Sequence, residues 1–180
     1  MYGIINSTIE SLVTENYGEE VWNKVKNISE KELDIKDLQI PDDDMRTFRL
    51  AIATAEVLGI SINEVLFKFG EYWVVSIGLQ YYSLIMQTDK NNLREFLFNL
   101  PKFYKKVMLM CPNIAPPDFK VIDKGNNNVE IHNYSSIKGL VYFINGLISG
   151  MGKAYKQSPE IQLKKSRIVG RDHEEIVINW

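Results

Sequence analysis

Residues 96–119 read FLFNLPKFYKKVMLMCPNIAPPDF and contain the most informative structural pattern in the chain. Apolar residues at helical spacing precede Pro116 and Pro117, which end the helix, and a strand-like run begins at Phe119. Pro101 inside this stretch would cost about 3 kcal/mol in a helix interior, so it is comfortable only if a new helix begins there. The pattern predicts a helix that ends at a double proline and leads into a strand.

The bulk properties indicate one soluble globular domain. The chain has 180 residues, a net charge of −2 and 45% hydrophobic residues, and a chain of this length buries roughly 70% of its unfolded surface. The weak negative charge argues against nucleic-acid binding, which needs a clustered basic face. No apolar run approaches the roughly 18 residues of a membrane span. The N-terminus lacks a secretory signal, so we expect a cytoplasmic protein.

The order of the predicted elements indicates an α+β domain. Ser61 and Glu64 form a predicted capping box, and Gly70 is expected to interrupt the helix that follows. The expected division is a helical subdomain over about 1–62 and a mixed subdomain over about 63–180, in which an antiparallel sheet accompanies two long helices. The predicted helices cover residues 4–17, 19–28, about 42–58, 61–69, 92–110 and 136–155, and the predicted hairpins cover 119–131 and 161–178.

Motifs of common catalytic and metal sites are missing from the sequence. The single cysteine, Cys111, excludes an internal disulfide and any zinc site built on a cysteine pair. His132 and His173 lack the spacing of a zinc motif and are predicted to be surface or strand-edge residues. The glycine-rich run 146–152 lacks the lysine of a phosphate-binding loop. We therefore do not expect an enzyme.

A series of blocks along the chain resembles one known family. The blocks are MYG at 1–3, YGEEVW at 17–22, FGEYW at 69–73, LREFLFNL at 93–100, PPDF at 116–119 and GLVYFINGLISG at 139–150. Their order and spacing resemble the haem–nitric oxide/oxygen binding (H-NOX) family over nearly the whole chain. Members of that family hold haem iron with a histidine on the helix before the double proline. A Tyr-x-Ser-x-Arg motif binds their haem propionates.

Both family motifs are altered when they are carried over to this chain. Tyr104 stands at the histidine position, and Tyr134, Ser136 and Lys138 stand at the second motif, with lysine in place of arginine. Tyrosine ligates haem iron as a phenolate and favours ferric iron, while lysine lacks the bidentate fork of arginine. The resemblance implies Tyr104 as the metal ligand and the other three residues near the propionates. The residues alone are also compatible with a core tyrosine, a strand end, a helix cap at Ser136 and an exposed lysine.

The remainder of the implied haem pocket is apolar. Family members that hold oxygen stably use a distal tyrosine, and Phe143 at the matching place has no hydroxyl. Such a pocket resembles the NO-selective type. The same residues are compatible with an ordinary core or with a cavity for a fatty or aromatic molecule. The haem contacts that the resemblance implies are Pro117, Ile5, Ile9, Trp73, Val74, Phe143 and Leu147.

The resemblance implies a haem-binding, gas- or NO-sensing signalling domain. Its partners would be a diatomic gas and a signalling protein such as a histidine kinase, a diguanylate cyclase or a chemotaxis receptor. Two alternatives keep the same fold. One is a haem-free domain that senses an apolar small molecule resembling a fatty acid, and the other is a regulatory protein-interaction module.

Overall fold

The computed structural model describes residues 2–30, 45–79, 92–109, 118–134 and 139–180, except for the side chains of residues 2–5, 45, 77, 107–109 and 168. Helices together with one antiparallel sheet confirm the predicted α+β class. In chain order the elements are α1 (Tyr2–Tyr17), α2 (Glu19–Ser29), α3 (Met45–Leu58), α4 (Ile62–Trp73), a π-helical turn (Val74–Gly78), α5 (Leu93–Leu109), β1 (Asp118–Gly125), β2 (Asn128–Tyr134), α6 (Leu140–Ala154), β3 (Glu160–Lys165), a 3-10 helix (Arg167–Val169) and β4 (Glu174–Asn179).

Local signals set the ends of the first helices. Gly18 separates α1 from α2 and has a φ of 87°, a left-handed conformation that glycine adopts without strain. The side-chain oxygen of Ser61 accepts a hydrogen bond from the backbone N–H of Glu64 at 3.2 Å. This bond satisfies one of the free N–H groups at the start of α4. The predicted break at Gly18 and the predicted cap at Ser61 are both confirmed.

Helix α4 continues through Gly70, so the prediction that glycine interrupts it there is wrong. Gly70 instead lets α4 approach α6 closely, because a Cβ atom at this position would lie 2.2 Å from the carbonyl oxygen of Phe143. Gly146 of α6 also permits this close approach, because a Cβ atom at this position would lie 2.0 Å from the carbonyl oxygen of Phe67 in α4. Close backbone approach is a recurring use of glycine. Two facing glycines therefore bring α4 and α6 together.

Helix α5 runs from Leu93 through Pro101 to Leu109 without a break, which agrees with the predicted helix over 92–110, and no new helix begins at the proline. The helix begins with a side-chain cap, in which Asn92 Oδ1 accepts a hydrogen bond from the backbone N–H of Glu95 at 2.9 Å. Each fully buried large apolar side chain contributes about 1.5–3 kcal/mol, and several together outweigh the cost of one interior proline. The buried residues of α5 are Leu93, Phe96, Leu97, Leu100, Phe103 and Tyr104.

The four strands form one antiparallel sheet in the order β1-β2-β4-β3. Asn126 and Asn127 join β1 to β2 with φ angles of 47° and 54°, and positive φ at both central residues suits a tight hairpin turn. The second predicted hairpin is confirmed as the β3–β4 pair. The sequence predicts a first strand over 161–168, and the strand ends earlier, at Lys165, because the ladder becomes irregular between Leu163 and Lys165 and a 3-10 helix follows.

Alternation along β2 and β4 gives the sheet two different faces. The inner face is buried and carries Val129, Ile131 and Asn133 from β2. Apolar inner-face residues join one core cluster that also includes residues from α1, α4, α5 and α6. The outer face carries Glu130, His132, Tyr134 and Glu175. Within the described ranges, no single helix is long and apolar enough to cross a membrane. The pair Arg46–Leu58 and Ile62–Ser76 has the length and apolar composition of a membrane span only when the two helices are taken together, and the pair is bent by 111°.

Candidate functional site

Tyr104 points into the core from α5. Its side chain is 6% exposed, and its hydroxyl oxygen has no hydrogen-bond partner among the described residues. Burial raises the pKa of Tyr104 well above its ordinary value, because a phenolate loses its hydration in the interior. Buried hydroxyl groups usually have a partner. The side chain therefore places in the interior an oxygen that no described residue satisfies.

Aromatic rings surround this oxygen-bearing side chain. The ring of Tyr104 meets that of Phe103 edge-on at a centroid distance of 5.8 Å. It also contacts the ring of Phe119, at the start of β1, at 4.9 Å. Phe103 in turn contacts Trp73 of α4 at 6.5 Å. A continuous line of rings thus connects α4, α5 and the sheet through Tyr104.

Most of the predicted apolar lining lies in the same core as Tyr104. Phe143 is half-buried, packs against that core and contacts Phe69 at a centroid distance of 5.1 Å. Ile5 lies on α1, and its side chain is outside the described residues. The structure therefore brings these predicted positions together with Tyr104 in one cluster. The buried members are Ile9, Trp73, Val74 and Leu147.

The predicted propionate-binding residues are placed differently. Tyr134 ends β2 on the outer face, is 42% exposed, and stacks on the ring of His173 at 4.9 Å. Its neighbour Asn133 pairs with Phe119 and belongs to the inner face. The structure therefore does not bring the Tyr134 ring to Tyr104, and its contact with a propionate stays a prediction. Ser136, Lys138 and Pro117 lie outside the described residues.

Two polar groupings on the sheet were missed by the sequence analysis. On the inner face, Asn133 Nδ2 donates to Glu174 Oε2 at 2.8 Å, and burial raises the pKa of this fully buried carboxyl group. On the outer face, the rings of His132 and His173 lie 4.8 Å apart. The alternating pattern of β2 and β4 predicts which residues share a face. No local spacing rule reveals that the two strands are neighbours with this register.

Two cavities that are lined by described residues lie away from Tyr104. The larger has a volume of about 800 Å³ and lies between α1, α2 and α3, with Lys26, Arg46 and Arg49 in its wall. The smaller has a volume of about 240 Å³ and lies between α1, α3 and α4, next to Tyr72. The charged side chains in the wall of the larger cavity argue against an apolar ligand there.

Comparison with known proteins identifies the family. The sequence profile described as haem-NO-binding matches residues 2–163. Soluble guanylate cyclase gcy-37 of Caenorhabditis elegans is 26% identical over 151 residues, which make up 82% of this chain and 21% of that protein. Guanylate cyclase soluble subunit beta-2 of Rattus norvegicus is 28% identical over 94 residues, or 52% of this chain and 14% of that protein. The chain spans about a fifth of the length of the first of these relatives.

Solved H-NOX structures share the fold. The H-NOX protein from S. oneidensis in the Fe(II)NO ligation state matches with a TM-score of 0.80 at 18% identity, covering 99% of this chain and 98% of that chain. The Fe(II) unliganded H-NOX protein from K. algicida matches with a TM-score of 0.77 at 22% identity, covering 98% and 95%. The profile match extends over most of the sequence and the folds agree almost end to end. This chain therefore belongs to the haem-NO-binding (H-NOX) family of sensor domains.

Proposed function

We propose that this chain is a haem-binding, gas-sensing domain in which Tyr104 is the axial ligand to iron. The observation that supports this proposal is the hydroxyl oxygen of Tyr104, which is buried and unpaired among the described residues. It belongs to a chain whose family is defined by haem and NO binding. A buried oxygen donor without a partner is expected where a metal ion completes the site.

The chemistry of Tyr104 fits ferric haem. Phenolate is a hard anionic donor and ligates haem iron in catalase. In the haem-free chain the phenolate form is disfavoured by lost hydration, and a nearby cation would offset that cost. When bound, haem would supply the iron centre that a diatomic gas reaches. We place the pocket wall at Ile9, Trp73, Val74, Phe143 and Leu147, with Tyr134, Ser136 and Lys138 on the propionate side.

The ring contacts of Tyr104 provide a route from the site to the sheet. A shift of the Tyr104 side chain would change its packing on Phe119, which lies 4.9 Å away at the start of β1. Phe119 pairs with Asn133 on β2, and Asn133 binds Glu174 on β4. Packed interiors transmit such shifts, because close-packed side chains have few alternative arrangements. A signalling partner, such as a histidine kinase, a diguanylate cyclase or a chemotaxis receptor, would respond to the altered sheet.

Absorption spectroscopy of the purified chain tests this assignment. After reconstitution with ferric haem, we expect a Soret band and a phenolate-to-iron charge-transfer band. Tyr104→Phe should lose the charge-transfer band, while Tyr17→Phe, at an exposed position of α1, should retain it. Tyr104→His should yield a ferrous form that binds NO. A wild-type chain without a Soret band after reconstitution would refute haem binding.

A second candidate function follows from the same tyrosine. A neutral phenol between the rings of Phe103 and Phe119 is compatible with an apolar interior that contains no metal. In this version the domain senses an apolar small molecule or acts as a protein-interaction module. Extraction of the purified protein with organic solvent, followed by mass spectrometry, separates these functions. A stoichiometric lipid without haem favours the small-molecule sensor, and the absence of any ligand-dependent stabilisation favours the interaction module.

A further inference from the structure

A compact cluster of metal-ligating side chains lies on the outer face of the sheet. His132 on β2 lies directly opposite Glu175 on β4 in the antiparallel ladder. His173 precedes β4 and contributes a third ligand group. One donor atom from each of the three residues lies within 4.8 Å of the others. Their side chains are only 12–17% exposed, so the cluster is shielded from bulk water.

We propose that His132, His173 and Glu175 bind a divalent transition-metal ion of the zinc type. Imidazole nitrogen and carboxylate oxygen are ordinary zinc ligands, and bond lengths of about 2.0–2.2 Å in a tetrahedron separate the ligand atoms by roughly 3.4 Å. His173 Nε2 and Glu175 Oε1 are already 3.2 Å apart. His132 Nε2 and the same oxygen are 4.0 Å apart. Small side-chain rotations therefore bring the three atoms to tetrahedral spacing.

The surroundings of His173 orient its free nitrogen towards the site. Asp172 Oδ1 lies 2.7 Å from His173 Nδ1, which favours the tautomer that carries its proton on Nδ1. Nε2, on the side of Glu175, is then left with a free lone pair. A carboxylate that binds the far nitrogen of a histidine is a regular feature of zinc sites. The ring of Tyr134 stacks on His173 at 4.9 Å and restricts its rotation. Asp172 and Tyr134 are thus positioning residues.

Glu130 is placed to provide a fourth ligand. Its Oε1 atom lies 2.8 Å from His132 Nε2, and its Oε2 atom lies 3.3 Å from the ammonium group of Lys124. On the other side, Lys165 binds Glu175 through the oxygen that faces the histidines. A bound dication would replace that ammonium group as the counter-charge of Glu175. The cluster would then contain two imidazoles and two carboxylates, a set suited to zinc.

Zinc titration of the full chain, purified without a histidine tag, tests the proposal. Competition with a chromophoric chelator should show one equivalent of Zn²⁺ bound per chain. His132→Gln, His173→Gln and Glu175→Gln should each weaken binding at least tenfold, and Asp172→Asn should weaken it by about tenfold or more. Asp118→Asn, which alters an exposed carboxylate at the start of β1, should leave binding within about twofold. Equal zinc affinity in the wild type and in a His132→Gln, His173→Gln double variant would overturn the proposal.

Imidazole NMR provides a test that needs no variant. The chain contains two histidines, so ¹⁵N-labelled imidazole gives two assignable sets of signals. One equivalent of Zn²⁺ should shift the Nε2 signals of both rings. In Asp172→Asn, the metal-free His173 should lose its preference for the Nδ1-protonated tautomer. Failure of either ring to respond to zinc would overturn the assignment. The haem spectrum is a separate readout, so this result is independent of the outcome at Tyr104.

Discussion

Replacing Tyr104 with phenylalanine removes one oxygen atom from the core and should stabilise the haem-free chain. The hydroxyl is shielded from solvent and has no hydrogen-bond partner among the described residues. In the unfolded chain the same hydroxyl binds water, so leaving it buried and unpaired costs about 1–3 kcal/mol. The ring contacts to Phe103 and Phe119 are retained, because the substitution keeps the aromatic ring.

The expected gain is the desolvation cost less the cost of a small void. A cavity of about 10 Å³ costs roughly 0.2 kcal/mol at about 24 cal/mol per Å³. We therefore expect the free energy of unfolding to rise by about 1–3 kcal/mol. For a chain of this length, that corresponds to an increase in Tm of about 2–12 °C. The same variant should lose the phenolate-to-iron charge-transfer band of the haem-bound protein. The substitution is therefore expected to stabilise the haem-free chain while removing the proposed iron ligand.

Urea unfolding of the haem-free wild type, Tyr104→Phe and Tyr17→Phe measures this difference. Tyr17 is 43% exposed, and its substitution should change stability by no more than about 0.5 kcal/mol. A Tyr104→Phe variant that is equally stable or less stable than the wild type would contradict the reasoning. That result would mean that the hydroxyl has a partner in the native protein.

The pH dependence of the same pair gives a second readout. Burial raises the pKa of Tyr104 in the folded chain above the ordinary value of 10.0. Above that pH the unfolded tyrosine loses its proton while the folded one retains it, so the wild type loses stability as pH rises towards the folded pKa. Phenylalanine has no such proton. The difference in free energy of unfolding between Tyr104→Phe and the wild type should therefore grow by up to about 1.4 kcal/mol per pH unit above about pH 10.

Three further variants are tested by denaturant unfolding. Two concern the packing of α4, α5 and α6, and the third concerns the raised pKa of Glu174. Pro101→Ala restores an N–H group to the interior of α5 and should stabilise the chain by about 1–3 kcal/mol; unchanged stability would show that the helix has adapted to the proline. Gly146→Ala introduces a Cβ atom 2.0 Å from the carbonyl oxygen of Phe67 and should destabilise by about 1–3 kcal/mol or more; a neutral effect would contradict the close approach of α4 and α6. Burial raises the pKa of Glu174 above its ordinary 4.5, so the wild type loses stability as pH rises through the folded pKa. Glu174→Gln, which retains an oxygen for Asn133, should be more stable than the wild type at pH 7 and gain less at pH 4, and a pH-independent difference would argue against a raised pKa.

The sequence was sufficient wherever a structural choice depended on neighbouring residues. The cap at Ser61, the break at Gly18 and the hairpin around Asn126 are each set by a few consecutive residues. The family resemblance and the α+β class could also be predicted, because they depend on the order of such elements along the chain. The resemblance also implied Tyr104 at the iron-ligand position, and this assignment stays a prediction.

The exceptions at Gly70 and Pro101 show where local rules stop. Each residue usually weakens or ends a helix, and each lies inside one here. Gly70 is retained because the gain from packing α4 against α6 requires a residue without a Cβ atom. Pro101 is retained because α5 buries a long apolar face. Packing energies of several kcal/mol outweigh the preferences of single residues.

Only the tertiary structure decided which side chains meet. The inward direction of Tyr104 depends on how α5 packs against β1, and the meeting of His132 with His173 and Glu175 depends on the register of β2 against β4. A shift of that register by one residue would send every side chain of the strand to the opposite face. Residue types and spacings specify the chemistry available to the chain. The contacts that form that chemistry into a site come from long-range packing, because the residues involved are distant in sequence.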